Sequence, residues 1–266
     1  MNPPTRETVL VTGASSGIGL ELAKCFAAEK SNLILVARST AALEKLAAEL
    51  REKFQINVHV LTADLAKPES PQIIFDELGR AGQVVDVLVN NAGFGLQGNF
   101  LELSLGRQLE ILQVNQTALT ALTGLLLPGM VARNRGGILN VGSIAAFQPG
   151  PGMAIYFASK AYVQSFSEAL ASELSDTQVM VSVLCPGPTS TNFGKIARGN
   201  KVRRRKLPGM SAADVARMGH EKFRQGRVVI IPGLGNKISV FFVRFIPRSW
   251  LRKLVKYFNN QIYNPE

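Results

Sequence analysis

Apolar positions along the chain follow two alternating rhythms. Short runs of consecutive aliphatic and β-branched residues read as strands: Thr8–Thr12, Asn32–Ala37, Asn57–Ala63, Val84–Asn90, Gly137–Gly142, Val179–Leu184 and Arg227–Ile231. Between them the spacing changes to every third or fourth residue. This predicts helices from Gly17 to about Glu29, Ala41–Phe54 (with Leu43, Leu46 and Leu50 on one face), Pro71–Leu78, one long helix Leu105–Val131, and Tyr156–Leu174. Nearly continuous apolar strands must be covered on both faces, which is the situation of a parallel sheet. Right-handed crossovers then give a doubly wound α/β sandwich with helices on both sides. No Ser/Gly linker, repeat or shift of composition interrupts the chain before Gly194. Residues 1–233 are therefore expected to form one domain. Residues 234–266 would be a basic, amphipathic helical extension packed on it.

Composition narrows the class. Of the 266 residues 46% are apolar, 18% charged and 24 are Gly. That is enough apolar material for a sizeable core, and neither a disordered nor a collagen-like chain. Two Cys exclude a disulfide framework, and two distant His give no structural metal set. Cys25, Cys185, His59 and His220 read as packing or surface residues. The apolar run Ile238–Ile246 is about half a membrane span and contains Arg244. M-N-P-P-T-R-E-T has no apolar run behind a basic head, which predicts a cytoplasmic protein without a secretory leader. The formal net charge of +11 is unevenly placed: residues 195–266 hold 17 Lys and Arg against 3 acidic residues, while residues 1–194 are near neutral. Such asymmetry points to an anionic contact. Nucleic acid is a poor candidate, because no recognition motif with interleaved aromatics is present.

The first strand runs into T-G-A-S-S-G-I-G, Thr12–Gly19, and then a helix. Glycines allow a tight turn and close approach of a ligand, and the helix N-terminus offers free N–H groups and a positive dipole end. A pyrophosphate site is the reading, with Gly13, Ser15, Ser16, Gly17, Ile18 and Gly19 as its wall. The second strand ends V-A-R-S. Ala37 supplies no carboxylate for a ribose hydroxyl, whereas Arg38, helped by Ser39, suits a 2′-phosphate, so NADP is expected over NAD.

An acid–base set comes next. Ser143 follows a strand, and Tyr156 and Lys160 stand four apart in Y-F-A-S-K, on one face of a helix. A phenol with pKa near 10 needs about 4 kcal/mol to reach neutrality. One cation about 4–5 Å away at an effective dielectric near 20 supplies roughly that.

These segments together resemble the short-chain dehydrogenase/reductase family, in a microbial NADP-preferring style. The resemblance spans Thr8–Pro232 and rests on T-G-A-S-S-G-I-G, A-D-L (Ala63–Leu65), N-N-A-G (Asn90–Gly93), Asn115, G-S-I (Gly142–Ile144), Y-F-A-S-K and P-G-P-T (Pro186–Thr189), in that order. It implies a Rossmann-type fold and hydride transfer between NADP and an alcohol or carbonyl. It also implies Tyr156 as proton donor or acceptor, Ser143 on the substrate oxygen, and Lys160 on the nicotinamide ribose. Asn115 would serve a water relay to Lys160. Asp64 and Leu65 would meet the adenine, and Asn90, Asn91, Ala92 and Gly93 the adenine ribose. Pro186, Gly187, Thr189 and Thr191 would meet the nicotinamide amide and the phosphates. A homodimer or homotetramer through Leu105–Val131 and Tyr156–Leu174 is implied as well.

The expected activity is a carbonyl reductase acting on a largely apolar or acyl substrate. Its pocket would be lined from Phe94–Phe100, Ala145–Ile155 and Phe193–Met210. The alternative is an NADP-binding sensor or membrane-associated scaffold without turnover. Lys195–Lys206, with Arg203, Arg204, Arg205 and Lys206, either attracts an anionic substrate carrier or is a solvated charge run. Asn236–Tyr263, apolar on one stripe and basic on another, either covers the chain's own pocket or a partner subunit, or lies on an anionic membrane.

Overall fold

The computed structural model describes residues 6–198 and 209–263. The basic run Arg203–Lys206 lies outside the described residues. Seven parallel strands form one sheet in the order β3-β2-β1-β4-β5-β6-β9. They are β1 (Thr8–Thr12), β2 (Asn32–Ala37), β3 (Val58–Thr62), β4 (Val87–Asn90), β5 (Gly136–Val141), β6 (Val179–Leu184) and β9 (Val229–Ile230). The order runs outward in both directions from β1 and β4, so the sheet is doubly wound as the pattern predicts.

Alternation along each strand divides the core into two layers. Val9, Val11, Leu33 and Leu35 point to one face, where they meet Leu22 and Phe26 of α1 (Gly17–Ala28), Leu43 and Leu50 of α2 (Thr40–Phe54) and Phe223 of α8 (Ala212–Arg224). Leu10, Ile34, Val36 and Leu88 point to the other face. There they meet Ile74 and Leu78 of α3 (Ser70–Arg80), Leu122 and Leu126 of α5 (Leu119–Ala132) and Leu170 of α6 (Ala154–Glu173).

The expected single helix Leu105–Val131 is instead three segments: α4 (Leu105–Leu112), a π-helical turn Gln113–Ala118, and α5. Its apolar spacing hides this, because the π turn keeps the chain helical while rotating the residues beyond it. Val84–Asn90 and Arg227–Ile231 are shorter as strands than their apolar runs. Two short strands, β7 (Thr189–Ser190) and β8 (Met210–Ser211), and the helix α7 (Phe193–Arg198) frame the region after β6.

Two further helices end the described chain: α9 (Leu234–Val243) and α10 (Arg248–Tyr263). Leu251 and Val255, one turn apart, are buried and hold α10 to the body. A second apolar stripe on α10, Trp250, Leu254, Tyr257 and Phe258, stays exposed. Among the described residues no helix is long and apolar enough to cross a membrane.

Candidate active site

All the strand ends that carry motifs open onto one cleft of about 820 Å³. It begins at the β1–α1 turn, where Gly13 (φ +66°) and Gly17 (φ +60°) adopt left-handed conformations that side chains disfavour. Ser16 is the N-cap of α1, yet its hydroxyl makes no capping bond, and the first turn carries no acidic residue. The helix thus presents free N–H groups and an uncompensated positive end to the cleft. The turn is braced from below. Thr12 Oγ1 accepts from the backbone N–H groups of Asn91 and Ala92, both at 3.0 Å, and Asn91 Nδ2 donates to Thr12 O at 2.9 Å.

Arg38 leaves β2 into the same cleft, exposed, and no described residue pairs with its guanidinium. Ser39 caps α2 by accepting from Ala42 N at 3.4 Å, so this corner adds a second helix N-terminus beside Arg38. Asp64, Leu65, Asn91, Ala92, Gly93, Pro186, Gly187, Thr189 and Thr191 also line the cleft. The residues present fit an NADP dinucleotide: a glycine cradle at a helix start, then a free guanidinium one strand away.

Three expected residues do not line it. Gly19 lies beneath, where a Cβ would meet Asn91 and sit 2.5 Å from Gly13 O. Asn90 is buried and donates to Asn140 Oδ1 (2.9 Å) and Thr123 Oγ1 (3.2 Å). Asn115, in the π turn, donates to Phe94 O and Ser159 Oγ, both at 3.0 Å, and accepts from Phe94 N. It ties the loop after β4 to the residue preceding Lys160.

Ser143, Tyr156 and Lys160 converge midway along the cleft. Ser143 Oγ accepts from Ala145 N at 3.1 Å, which leaves its O–H free to donate. The Tyr156 ring lies 5.1 Å from that of Phe193, and a Cβ on Gly95 would stand 3.0 Å from it. Lys160 is buried. Its Nζ donates to Val141 O at 2.7 Å and sits 5.9 Å from the Tyr156 ring centroid. Burial pulls its pKa down from 10.5 to about 8. Behind it Cys185 is buried and its thiol is pushed up to about 12, chiefly by burial, so it is inert packing. Cys25 is not disulfide-bonded, and His220 lies 3.1 Å from Glu29, edge-on to Phe26, far from this chemistry.

Gln97, inside the expected lining Phe94–Phe100, is buried at the wall and has its Oε1 without a hydrogen-bond partner among the described residues. Arg107, Glu110 and Asn259 are the parts that the sequence missed. Arg107 and Glu110, paired with each other, and Gln148 make the mouth more polar than expected, and Asn259 of α10 reaches the wall while donating to Pro151 O at 2.7 Å.

Below the site runs a buried amide chain: Asn90 to Asn140, then Asn140 Nδ2 to Ser167 Oγ (2.9 Å) and Ser167 Oγ to Val163 O (2.6 Å). It joins β4, β5 and α6, and so fixes the helix carrying Tyr156 against the sheet. Replacing Asn140 by Ala removes one hydrogen bond from each of two buried groups, leaving Asn90 only Thr123 and Ser167 only Val163, and a loss of about 2–3 kcal/mol is expected. Thermal melting should show a drop of roughly 5–10 °C; an unchanged midpoint would refute the bracing role.

The chain matches the family described as short chain dehydrogenase over residues 7–201. It belongs to the short-chain dehydrogenase/reductase family. A Mus musculus protein of that family, dehydrogenase/reductase SDR family member 7B, is 36% identical over 217 residues, covering 78% of this chain and 67% of its own. An NADP-dependent 3-hydroxy acid dehydrogenase of Schizosaccharomyces pombe is 34% identical over 195 residues, covering 71% and 74%. A Sphingobium yanoikuyae short-chain dehydrogenase solved with NADPH superposes with a TM-score of 0.80 at 32% identity, covering 90% of this chain and 94% of that one. The family match ends before α8, so the C-terminal helices fall outside it. As a member of the short-chain dehydrogenase/reductase family, the chain is an oxidoreductase acting between alcohols and carbonyls.

Proposed function

We propose that the chain reduces the carbonyl of a bulky, largely apolar compound, with Tyr156 as proton donor, Ser143 as hydrogen-bond donor to the carbonyl oxygen and Lys160 as the cation that tunes the phenol. It is an NADP-dependent oxidoreductase, and NADPH, when bound, supplies the hydride equivalent. The observation that carries the reading is continuity: one cleft runs from the unpaired Arg38 and the glycine cradle to Ser143, Tyr156 and Lys160.

Ser143 has its hydroxyl hydrogen free, so it can polarise the substrate oxygen. Tyr156, gripped between Phe193 and Gly95, holds its ring at one angle. Lys160, its Nζ 5.9 Å from the Tyr156 ring centroid, favours the phenolate when charged, which makes Tyr156 a better acid. Asn115 fixes the loop at Phe94 and the helix at Ser159, and we assign to it the positioning of Lys160 for proton return through water. Asp64 and Leu65 would face the adenine, Asn91, Ala92 and Gly93 its ribose, and Pro186, Gly187, Thr189 and Thr191 the nicotinamide end.

Beyond Tyr156 the wall is Phe94, Met153, Phe157, Phe193 and Ile196, which suits an apolar body. The orphaned acceptor of Gln97 suits a donor group on that body. Its setting is read as a cytoplasmic homodimer or homotetramer, supported by Leu105, Leu109 and Tyr162, exposed on α4 and α6. An NADPH-oxidation screen of bulky ketones, aldehydes and 3-oxoacyl thioesters tests the activity. Turnover of none of them would defeat the carbonyl-reductase reading in favour of a cofactor-binding sensor.

Arg38→Glu reverses the charge where the 2′-phosphate would lie. The KM for NADPH should rise by at least about tenfold, with the KM for NADH changed much less. Equal effects on both cofactors would remove Arg38 from the assignment.

A further inference from the structure

Away from the cleft, the C-terminal helix pair carries a surface that the oxidoreductase chemistry does not use. On α9 and the turn after it, Leu234, Ile238, Phe241, Phe242 and Phe245 form one stripe at helical spacing, all exposed. On α10, Trp250, Leu254, Tyr257 and Phe258 form another, with Phe245 and Trp250 69% and 70% exposed. These stripes are not what anchors the helices. Val240 on α9, and Leu251 and Val255 on α10, are separately buried for that purpose. Aromatic patches of this kind are rarely left in water without a partner.

Charge selects the partner. Residues 234–263 contain six cations, Lys237, Arg244, Arg248, Arg252, Lys253 and Lys256, and no acidic residue. All six are exposed. A second copy of the chain seated symmetrically on this face would oppose like charges. An anionic lipid surface satisfies both features at once, taking aromatic rings at the acyl boundary and Lys and Arg at the headgroups. Because no described helix is long and apolar enough to span a bilayer, the pair would lie in the interface.

We propose that α9 and α10 form a docking surface for anionic membranes, with Phe241, Phe245 and Trp250 entering the headgroup–acyl boundary. The face adjoins the catalytic region. Phe147, on the short helix Ile144–Phe147 directly after Ser143, borders a cavity of about 180 Å³ with Val240, Arg244, Arg248 and Leu251. Docking would therefore bring the cleft beside lipid, whatever the substrate.

The chain has a single tryptophan, Trp250, and it lies on this face. The full chain mixed with phosphatidylglycerol/phosphatidylcholine vesicles should co-sediment, with Trp250 emission shifted to the blue and quenched by brominated acyl chains. Phosphatidylcholine alone should give neither effect. Raising salt to about 1 M, where the Debye length is ~3 Å, should release the protein. The pair Phe241→Ser and Phe245→Ser, which keeps the fluorophore, should weaken vesicle binding by at least about tenfold without altering NADPH binding. Arg252→Gln with Lys256→Gln should weaken it too. No change of emission with anionic vesicles overturns the proposal. So does sedimentation without a blue shift, which would assign lipid contact to the Arg203–Lys206 run. Emission that is already blue, with a dimeric mass and no response to vesicles, overturns it in favour of a second copy.

Discussion

Tyr156→Phe is expected to lower carbonyl-reducing turnover by about 10³-fold while leaving the fold and NADPH affinity intact. The substitution removes one hydroxyl and keeps the ring, so the contacts with Phe193 and Phe157 that hold this part of α6 persist. Steady-state kinetics beside an NADPH fluorescence titration separates the two effects. A variant retaining more than about a tenth of wild-type turnover would remove Tyr156 from the chemistry.

The pH profile adds an independent check through Lys160. Burial holds its amine near 8, so the cation beside Tyr156 is lost as pH rises through that value, and turnover should fall there. Stability moves the other way. In the unfolded chain the amine keeps its ordinary value near 10.5. Between about 8 and 10.5 the unfolded state therefore binds more protons, and folding stability gains as pH rises. Activity and this contribution to stability should diverge over that window. Parallel changes in both would show that Lys160 does not control the rate.

Gly19→Ala is expected to weaken NADPH binding by about 100-fold, close to 3 kcal/mol. Gly19 never touches the cleft, so the effect must pass through its neighbour. A Cβ there would overlap the Asn91 amide and lie 2.5 Å from Gly13 O, a backbone atom that cannot swing aside. Asn91 would lose its bonds to Thr12 O and Gly13 O, and the turn it braces would open. Circular dichroism should remain that of the folded protein, since the clash is confined to one turn. An affinity within threefold of wild type would mean that the cradle tolerates displacement.

The legible parts of this molecule are those whose chemistry repeats locally. Apolar runs such as Val9–Val11 and Leu33–Val36 announce buried strands, and the four-residue interval from Tyr156 to Lys160 places both on one helical face. The glycines at 13 and 17 announce a turn that only they adopt easily. What stayed hidden depends on partners remote in sequence. Asn140 sits in a run that reads as an ordinary apolar strand, and its partners Asn90 and Ser167 are 50 and 27 positions away. Gln113–Ala118 has the composition of any helix, so its widened turn leaves no periodic trace. The Gly19–Asn91 contact converts a residue expected to touch cofactor into one that supports the support. Asn259 meets the loop at Pro151 across 108 positions, and no local spacing encodes that meeting.

This last contact bears on how the protein should be handled. In a parallel sheet every strand starts at the edge opposite the one where the cleft opens, so an affinity handle or surface linker joined ahead of β1 stands off from the chemistry. The same handle joined beyond Tyr263 would extend a helix whose Asn259 already borders the cleft. Immobilisation through the amino end should thus preserve turnover, whereas attachment through the carboxyl end should throttle access.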